Sequence, residues 1–379
     1  MLEEIKLKFV ALFNAEPICF RSPGRINIIG EHTDYNNGFV LPAAINKSIY
    51  FAIAPNSLQK FRFFAYDLNE YIEIEDIAQS KIQWANYLLG VIDGLNRKHK
   101  SPGYFDLVFG GDLPFGAGFS SSAAIEVGLA FALNKVYDLE NSAMDLTLIA
   151  QKAEHDFVGV KCGIMDQFAV MHGKADKLIK LDCRSLEYEY HDFKLKDYSF
   201  VFADTGVKHN LAENEYNLRR EQCEKGVEIM KENGFPIQSL RDLSLAELEG
   251  NKTQMSDLIF RRCSYVIEEN DRLQNALRAM EKNDWKRFGE QLYGSHEGLR
   301  HKYEVSCREL DILVEATYDM PFVLGARMMG GGFGGCTINL VLNEAIPEFK
   351  SQLQKAYAAH FEKPLKIYEM KLSDGVGMC

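Results

Sequence analysis

Five polar groups able to handle a hydroxyl-rich ligand fall within eleven residues of SPGRINIIGEHTDYNNG (22–38): Arg25, Glu31, His32, Asp34 and Tyr35. Carboxylates accept hydrogen bonds from hydroxyls, and a histidine donates or accepts them. Charges beside the apolar run Ile26–Ile29 are costly to bury unless they are paired or turned toward a ligand. Two plainer readings fit the same residues: a salt-bridged turn or, for His32 and Asp34, a metal pair. No third ligand follows at a clear spacing, which weakens the metal reading.

A second stretch, GGDLPFGAGFSSS (110–122), runs into a helical pattern. Backbone N–H groups in such a loop, with the dipole of the following helix, form an anion site. It is not a Walker A loop, because no lysine follows the glycines. The three serine hydroxyls could take phosphate oxygens or a metal. An ordinary glycine-rich turn with a serine cap fits equally well. In the third island, GARMMGGGFGG (325–335), Gly330, Gly332 and Gly335 formally match G-x-G-x-x-G. The context fails, since CTINLVL reads as a strand where a helix is needed, and no acidic residue is clearly placed about 20 positions on. This island reads as a loop whose backbone lies close to a site, or as a tight turn into the strand. Three glycine islands this far apart suggest a site assembled from distant segments.

The elements between them must position these loops. FVLPAAI, SIYFAIAP, FRFFAYD, YIEIEDI and GYFDLVFGGDL read as short strands. SSSAAIEVGLAFALNKVYDL follows with Ala123, Val127, Ala130, Leu133 and Tyr137 on one helical face. AMDLTLIAQKAEHDFVG is a second helix; FAVMHGKADKLIKLD and EYHDFKLKDYSFVFAD look like strands. NLAENEYNLRREQCEKGVEIMKEN and the segments around 245–320 are helical. CTINLVL, a helix at 345–361 and LKIYEMKL give a strand–helix–strand finish. The opening residues place Leu2, Ile5, Phe9, Leu12 and Phe13 at helical spacing. The expected class is α+β with two domains, residues 1–190 and 191–379. No Pro/Gly/Ser linker marks the division, so the halves are expected to pack tightly.

At 379 residues the chain exceeds one small core, given about 100–200 residues per domain. Its 46% hydrophobic and 26% charged content is that of a globular protein and disfavours disorder. A net charge of −11 repels phosphate backbones, so no nucleic-acid partner is expected; the basic runs RKHK (97–100), Arg219-Arg220 and Arg261-Arg262 are short. No run approaches the ~18 apolar residues that span a bilayer, so no membrane partner is expected. Glu3 and Glu4 stand where a signal peptide carries positive charge. Eight scattered cysteines suit reduced thiols in the cytoplasm.

Taken together, the motifs resemble those of the galactokinase family. GRINIIGEHTDY is similar to its sugar signature G-R-x-N-x-I-G-E-H-T-D-Y, and CGIMDQF (162–168) resembles its catalytic segment. PFGAGFSSSAA and GGGFGGCTI resemble the nucleotide and C-terminal glycine motifs of the wider galactokinase, homoserine kinase, mevalonate kinase and phosphomevalonate kinase (GHMP) superfamily. HEGLRHKYEVSCRELDILVE is also similar to the family, so the match runs in order from about residue 20 to 340.

The resemblance implies a first domain like domain 2 of ribosomal protein S5, a ferredoxin-like α+β second domain, and an active site in the cleft between. It implies ATP as co-substrate, Mg²⁺, and transfer of the γ-phosphoryl group to the C1 hydroxyl of galactose by a cytoplasmic monomer. By motif, Asp166 falls on the catalytic aspartate and Arg25 on its partner. Glu31, His32, Asp34, Gly163 and Tyr216 fall on sugar-binding positions. Gly116, Ala117, Gly118, Ser120, Ser121 and Ser122 fall on the phosphate loop, and Ser122 and Glu154 on the magnesium positions. Trp84, in WANYLLGV, resembles a tryptophan on the adenine side, and a core aromatic is the plainer reading. For Asp166 the plainer reading is a helix cap. One departure is Asp204-Thr205, ahead of VKHNL, where family members often carry Asn-Ser. A kinase for N-acetylgalactosamine or another sugar, and a non-catalytic sugar sensor, stand as alternatives. The intact Ser122-Ala123-Ala124 and Asp166 favour catalysis over sensing.

Overall fold

The apolar runs flanking the first glycine island fold back on each other as an antiparallel pair, Ile18–Asn27 against Pro42–Pro55. The computed structural model describes residues 1–379 except 99–100, 194 and 209–211. Around this pair a six-stranded sheet forms in the order Gly377–Met378, Ile18–Asn27, Pro42–Pro55, Phe105–Gly111, Phe61–Ala65, Glu70–Ile74. Its neighbours are antiparallel except Phe61–Ala65, which runs parallel to Phe105–Gly111. A second sheet, fully antiparallel, has the order Val323–Met328, Gly334–Leu342, Tyr198–Lys208, Lys366–Glu369. A small third sheet joins Phe39–Val40, Lys177–Asp182 and Tyr188–Asp192. The α+β class with a strand-rich first half and helix-rich second half holds.

Two expectations need correcting. FVLPAAI and SIYFAIAP are largely one strand, Pro42–Pro55, because Asn46 between them stays extended, its N–H donating to the Lys371 carbonyl and its Oδ1 accepting from Lys371 N–H. The segment FAVMHGKADKLIKLD is not one strand. It is the end of the helix Met165–His172, then the strand Lys177–Asp182. Its run Phe168–Met171 is buried all round, and a short continuous apolar run carries no period to distinguish helix from strand. The opening helix forms as expected, over Leu2–Phe13, with Ile5 and Phe9 fully packed and Leu12 facing solvent.

The helix Ser121–Val136 packs Ala123, Val127, Ala130 and Leu133 into the core. That core also takes Phe200, Phe202, Leu273, Phe288 and Ile338 from the second half, so one continuous apolar body underlies both halves. The last residues return to the first sheet: Ser373 N–H donates to Ala44, and Phe20 pairs with Met378. A boundary of 191–379 therefore encloses a tail that packs on the other half.

The basic runs carry partners. Arg97 pairs with Asp93, Lys98 with Asp145, Arg219 with Glu215, Arg220 with Glu224, and both Arg261 and Arg262 with Glu304. The rest of RKHK, His99 and Lys100, lies outside the described residues, as do residues 209–211 of VKHNL. Among the described residues no helix is long and apolar enough to cross a membrane.

Candidate active site

Arg25 sits near the end of the strand Ile18–Asn27, and Asp166 in the first turn of the helix Met165–His172. The Arg25 guanidinium meets Asp166 as a two-pronged fork, Nε to Oδ1 at 2.7 Å and Nη2 to Oδ2 at 2.7 Å. Charge-assisted bidentate pairs of this kind fix orientation as well as charge. Burial opposes the charge on Arg25, but Asp166 beside it holds the guanidinium pKa above its usual value. The third guanidinium nitrogen donates to the Gly118 carbonyl, and Ser120 Oγ donates to Asp166 Oδ2. Arg25 N–H also donates to the Phe119 carbonyl at 3.1 Å. These bonds tie the strand, the Gly116–Ser122 loop and the Asp166 helix into one unit.

Arg25, Glu31, His32, Asp34, Gly163, Asp166 and Tyr216 line one cavity with Cys162, Met165, Gly330 and Gly331. Gly163 is glycine for a steric reason, since a Cβ there would lie 1.9 Å from Asp34 Oδ2. The Asp34 carboxyl is pushed up to about 7, chiefly by burial and next by the Asp166 charge. Burial, helped by the Arg219 charge, pushes His32 down to about 3, so its ring is neutral at physiological pH. Its Nδ1 shares a 2.7 Å hydrogen bond with Tyr35 Oη, which bonds Tyr303 Oη at 2.8 Å. The His32 ring also lies 5.3 Å from that of Tyr216. His32 and Ser120 both sit at left-handed φ, +61° and +56°. Such backbone costs of order 1–3 kcal/mol per residue and persists where surrounding contacts fix it, often at functional sites.

The second and third islands face each other. A Cβ on Gly118 would lie 3.3 Å from the Met329 carbonyl, and one on Gly335 would lie 3.5 Å from the Ala117 backbone. Gly116, Gly118, Val207, Met329 and Gly331–Gly335 line a groove that meets the first cavity at Gly331. Ser121 and Ser122 begin the helix Ser121–Val136, and the Ala117 side chain is buried. A further cleft joins Phe115 and Gly116 to Asp204, Gly206, Lys363 and Lys366. At the departure noted in the sequence, Thr205 Oγ1 donates to the Gly335 carbonyl at 2.9 Å. Asp204 Oδ1 accepts from Gly206 N–H at 2.8 Å.

Glu154 lies in a π-helical turn, Glu154–Val158, with its carboxyl hydrogen-bonded by Ser122, Cys162 and Gln167. Burial first, and the Asp166 charge second, push it up to about 7. Trp84 stands apart. Its indole N–H donates to Glu70 at 2.6 Å, its ring packs 5.6 Å from Phe109, and it lines none of these cavities.

Sequence reasoning missed the residues that hold the first island from the other half. Arg327, fully buried, donates to the carbonyls of Asn27 (2.5 Å) and Ile28 (2.8 Å) and to Glu31 Oε1 (3.1 Å). Gly330 N–H donates to the same Glu31 oxygen at 2.8 Å. Glu269, also fully buried, accepts from Gly30 N–H, Ser295 Oγ and Arg272 Nε. Tyr265 Oη donates to the Glu31 carbonyl at 3.0 Å. The one signal available was a lone arginine inside the apolar and glycine run GARMMG.

This geometry agrees with what the chain is similar to. A galactokinase galactose-binding signature matches residues 7–55, the GHMP kinases N terminal domain residues 86–174, and the GHMP kinases C terminal domain residues 276–359. A galactokinase of Thermotoga maritima is 40% identical over 94% of this chain and 98% of its own. One of Fusobacterium nucleatum is 39% identical over 100% of this chain and 99% of its own. The crystal structure of Lactococcus lactis galactokinase complexed with galactose superposes with a TM-score of 0.96, at 33% identity and full coverage of both chains. The mevalonate kinase of Methanococcus jannaschii shares the fold, with a TM-score of 0.65 at 19% identity, covering 95% of this chain and 99% of that one. With near-complete coverage by relatives of one kind, and the sugar signature folded against the GHMP glycine loops, the chain belongs to the galactokinase family.

Proposed function

We propose that the chain transfers the ATP γ-phosphoryl group to the C1 hydroxyl of galactose, with Asp166 and Arg25 as the catalytic pair. The fork between them, which lines the polar cavity while Arg25 also bonds the Gly118 carbonyl of the glycine groove, is the observation that carries this reading. Phosphoryl transfer depends mainly on positioning and on neutralising charge. Asp166 accepts the C1-hydroxyl proton as transfer proceeds. Arg25 keeps Asp166 oriented and offers positive charge to the attacking oxygen. Ser120 holds Asp166 from the phosphate-loop side. Glu31, His32, Asp34 and Tyr216 take the sugar hydroxyls, while Gly163 admits Asp34. The N–H groups and hydroxyls of residues 116–122 receive the phosphates. A role for Trp84 on the adenine side rests on the motif alone. A coupled assay of ADP formation with galactose, glucose and N-acetylgalactosamine tests the reading. Turnover with galactose and little with glucose is expected, and equal rates on both would overturn it.

The residues present fit a magnesium ion. Mg²⁺ prefers oxygen donors and takes only one or two from protein. Ser122 and Glu154 supply hard oxygens, and the raised Glu154 carboxyl is a group a cation would relieve. When bound, Mg²⁺ neutralises and orients the terminal phosphates. Ser122→Ala and Glu154→Gln are each expected to raise the Mg²⁺ concentration for half-maximal activity. Activity should return partly at high Mg²⁺, and variants indifferent to Mg²⁺ would place the metal elsewhere. The reading includes a cytoplasmic enzyme working as a monomer. Its cytoplasmic part is supported by eight cysteines without a disulfide.

Asp34 yields a prediction with two opposite signs. A carboxyl whose pKa rises from 3.8 to about 7 on folding costs on the order of 4 kcal/mol when ionised. That cost accrues as pH rises from about 4 to 7 and is level above. Asp34→Asn should therefore raise the melting temperature of the ligand-free protein at pH 8 and barely change it at pH 4. The same variant should raise KM for galactose ~10-fold and narrow the galactose/glucose ratio of kcat/KM, because a charged acceptor for a C3 or C4 hydroxyl is lost. In the wild type, galactose hydroxyls favour ionised Asp34, so galactose should bind more tightly as pH rises from 5 to 7.5. Calorimetry across that range checks the trend, which Asp34→Asn should flatten.

A further inference from the structure

The helix that begins at the phosphate-loop serines buries a carboxyl one turn further on. Glu126 is four residues after Ser122 and fully buried. No arginine or lysine is hydrogen-bonded or ion-paired to it among the described residues. Its Oε2 accepts a 3.1 Å hydrogen bond from Gln167 Nε2. The same Gln167 nitrogen donates to Glu154 Oε2 at 2.9 Å. Gln167 directly follows Asp166 and is itself fully buried. Its amide therefore uses both hydrogens on two carboxylates, one from each of two other elements. Glu126 Oε1 and Gln167 Oε1 have no hydrogen-bond partner among the described residues. Burying such groups is costly, and a merely structural contact between the elements could be made with apolar side chains.

We propose that Glu126 is a positioning residue which, through Gln167, aims the Glu154 carboxylate at the metal–nucleotide complex. The inference rests on the reading of Glu154 as a metal ligand. An amide flipped end for end would set its oxygen against two carboxylates, so accepting from Nε2 is how Glu126 fixes the Gln167 orientation. Gln167 and Cys162 both hold Glu154 Oε2, which leaves Oε1 clear of either. The same amide follows Asp166 along one helix, so the metal carboxylate and the catalytic carboxylate share a rigid support. Carboxylate ligands held by hydrogen bonds from outside the metal shell typically lose 10–100-fold in metal affinity when those bonds are removed. Glutamine is nearly isosteric with Glu126 and keeps an oxygen that can accept from Gln167 Nε2.

The test is binding of Mn²⁺ to the protein–ADP complex, followed by electron paramagnetic resonance, beside galactose binding by calorimetry. Glu126→Met removes the acceptor and should weaken Mn²⁺ binding at least ~10-fold, with galactose affinity within about twofold of wild type. Glu126→Gln restores an acceptor and should restore Mn²⁺ affinity. Gln167→Met breaks the same tie from its other end and should match Glu126→Met, which keeps the test open if Glu126→Met does not fold. Glu154→Gln is the control for the underlying reading. Unchanged Mn²⁺ binding in Glu154→Gln would overturn Glu154 as a ligand. Weak binding there, with wild-type binding in Glu126→Met or Gln167→Met, would overturn the positioning role alone.

Discussion

Asp166→Asn is expected to lower kcat by about 10²-fold or more while the chain still folds and binds nucleotide. The substitution is nearly isosteric, so the helix Met165–His172 keeps its packing. What changes is chemistry at one fork. Asn keeps an oxygen for one Arg25 nitrogen but sets an NH₂ against the other, donor against donor. Arg25 is only 4% exposed, so this mismatch costs stability, on the order of 1–3 kcal/mol. Ser120 Oγ can turn to accept from the new amide, and the Gly118 carbonyl still holds the third Arg25 nitrogen. The proton acceptor is gone, and so is the charge that orients Arg25. A second readout separates charge from folding. The Asp166 charge helps raise both Asp34 and Glu154, so its removal should shift the pH midpoint for galactose binding below about 7. Stopped-assay kinetics and calorimetry together check this, and near-normal kcat in the variant would sink the catalytic assignment.

Much of this site is legible in the sequence because its functional residues lie inside short motifs. GRINIIGEHTDY carries Arg25, Glu31, His32 and Asp34, and CGIMDQF carries Gly163 and Asp166. The fold brings both into one cavity with Tyr216 and Gly330. Local reading does less well where packing alone decides. Phe168–Met171 lacks a usable period, so its helix was not evident. The tail at Gly377–Met378 pairs with Ile18–Asn27 through a contact between the two ends of the chain, which no local pattern encodes. The same holds for Arg327, Glu269 and Tyr265, which steady the sugar signature from more than two hundred residues away. A lone charge in a strand reads as a surface residue until its partner is seen.

Arg327→Met is expected to produce the largest loss of stability, about 3–5 kcal/mol, together with a raised galactose KM. Arg327 is fully buried and gives every guanidinium nitrogen a partner: Ile28, Asn27 and Met328 carbonyls and Glu31 Oε1. Methionine fills most of the space but donates nothing. Three carbonyls lose a donor, and Glu31, almost fully buried, loses its only ion-pair partner among the described residues. Removing one partner of a buried pair is costly because the other charge is left behind. Glu31→Gln in the same background should recover part of the stability, since no uncompensated charge remains. It should not recover galactose affinity, because the loop from Asn27 to Glu31 is still untied from the second half. Arg327→Lys keeps the charge without the fork and should fall between the two, because an ammonium cannot reach both carbonyls and the carboxylate with fixed geometry. Urea denaturation of the single and double variants, beside galactose calorimetry, measures the coupling directly. If the Glu31→Gln, Arg327→Met double variant is no more stable than Arg327→Met, the pair is not what holds the sugar signature across the two halves.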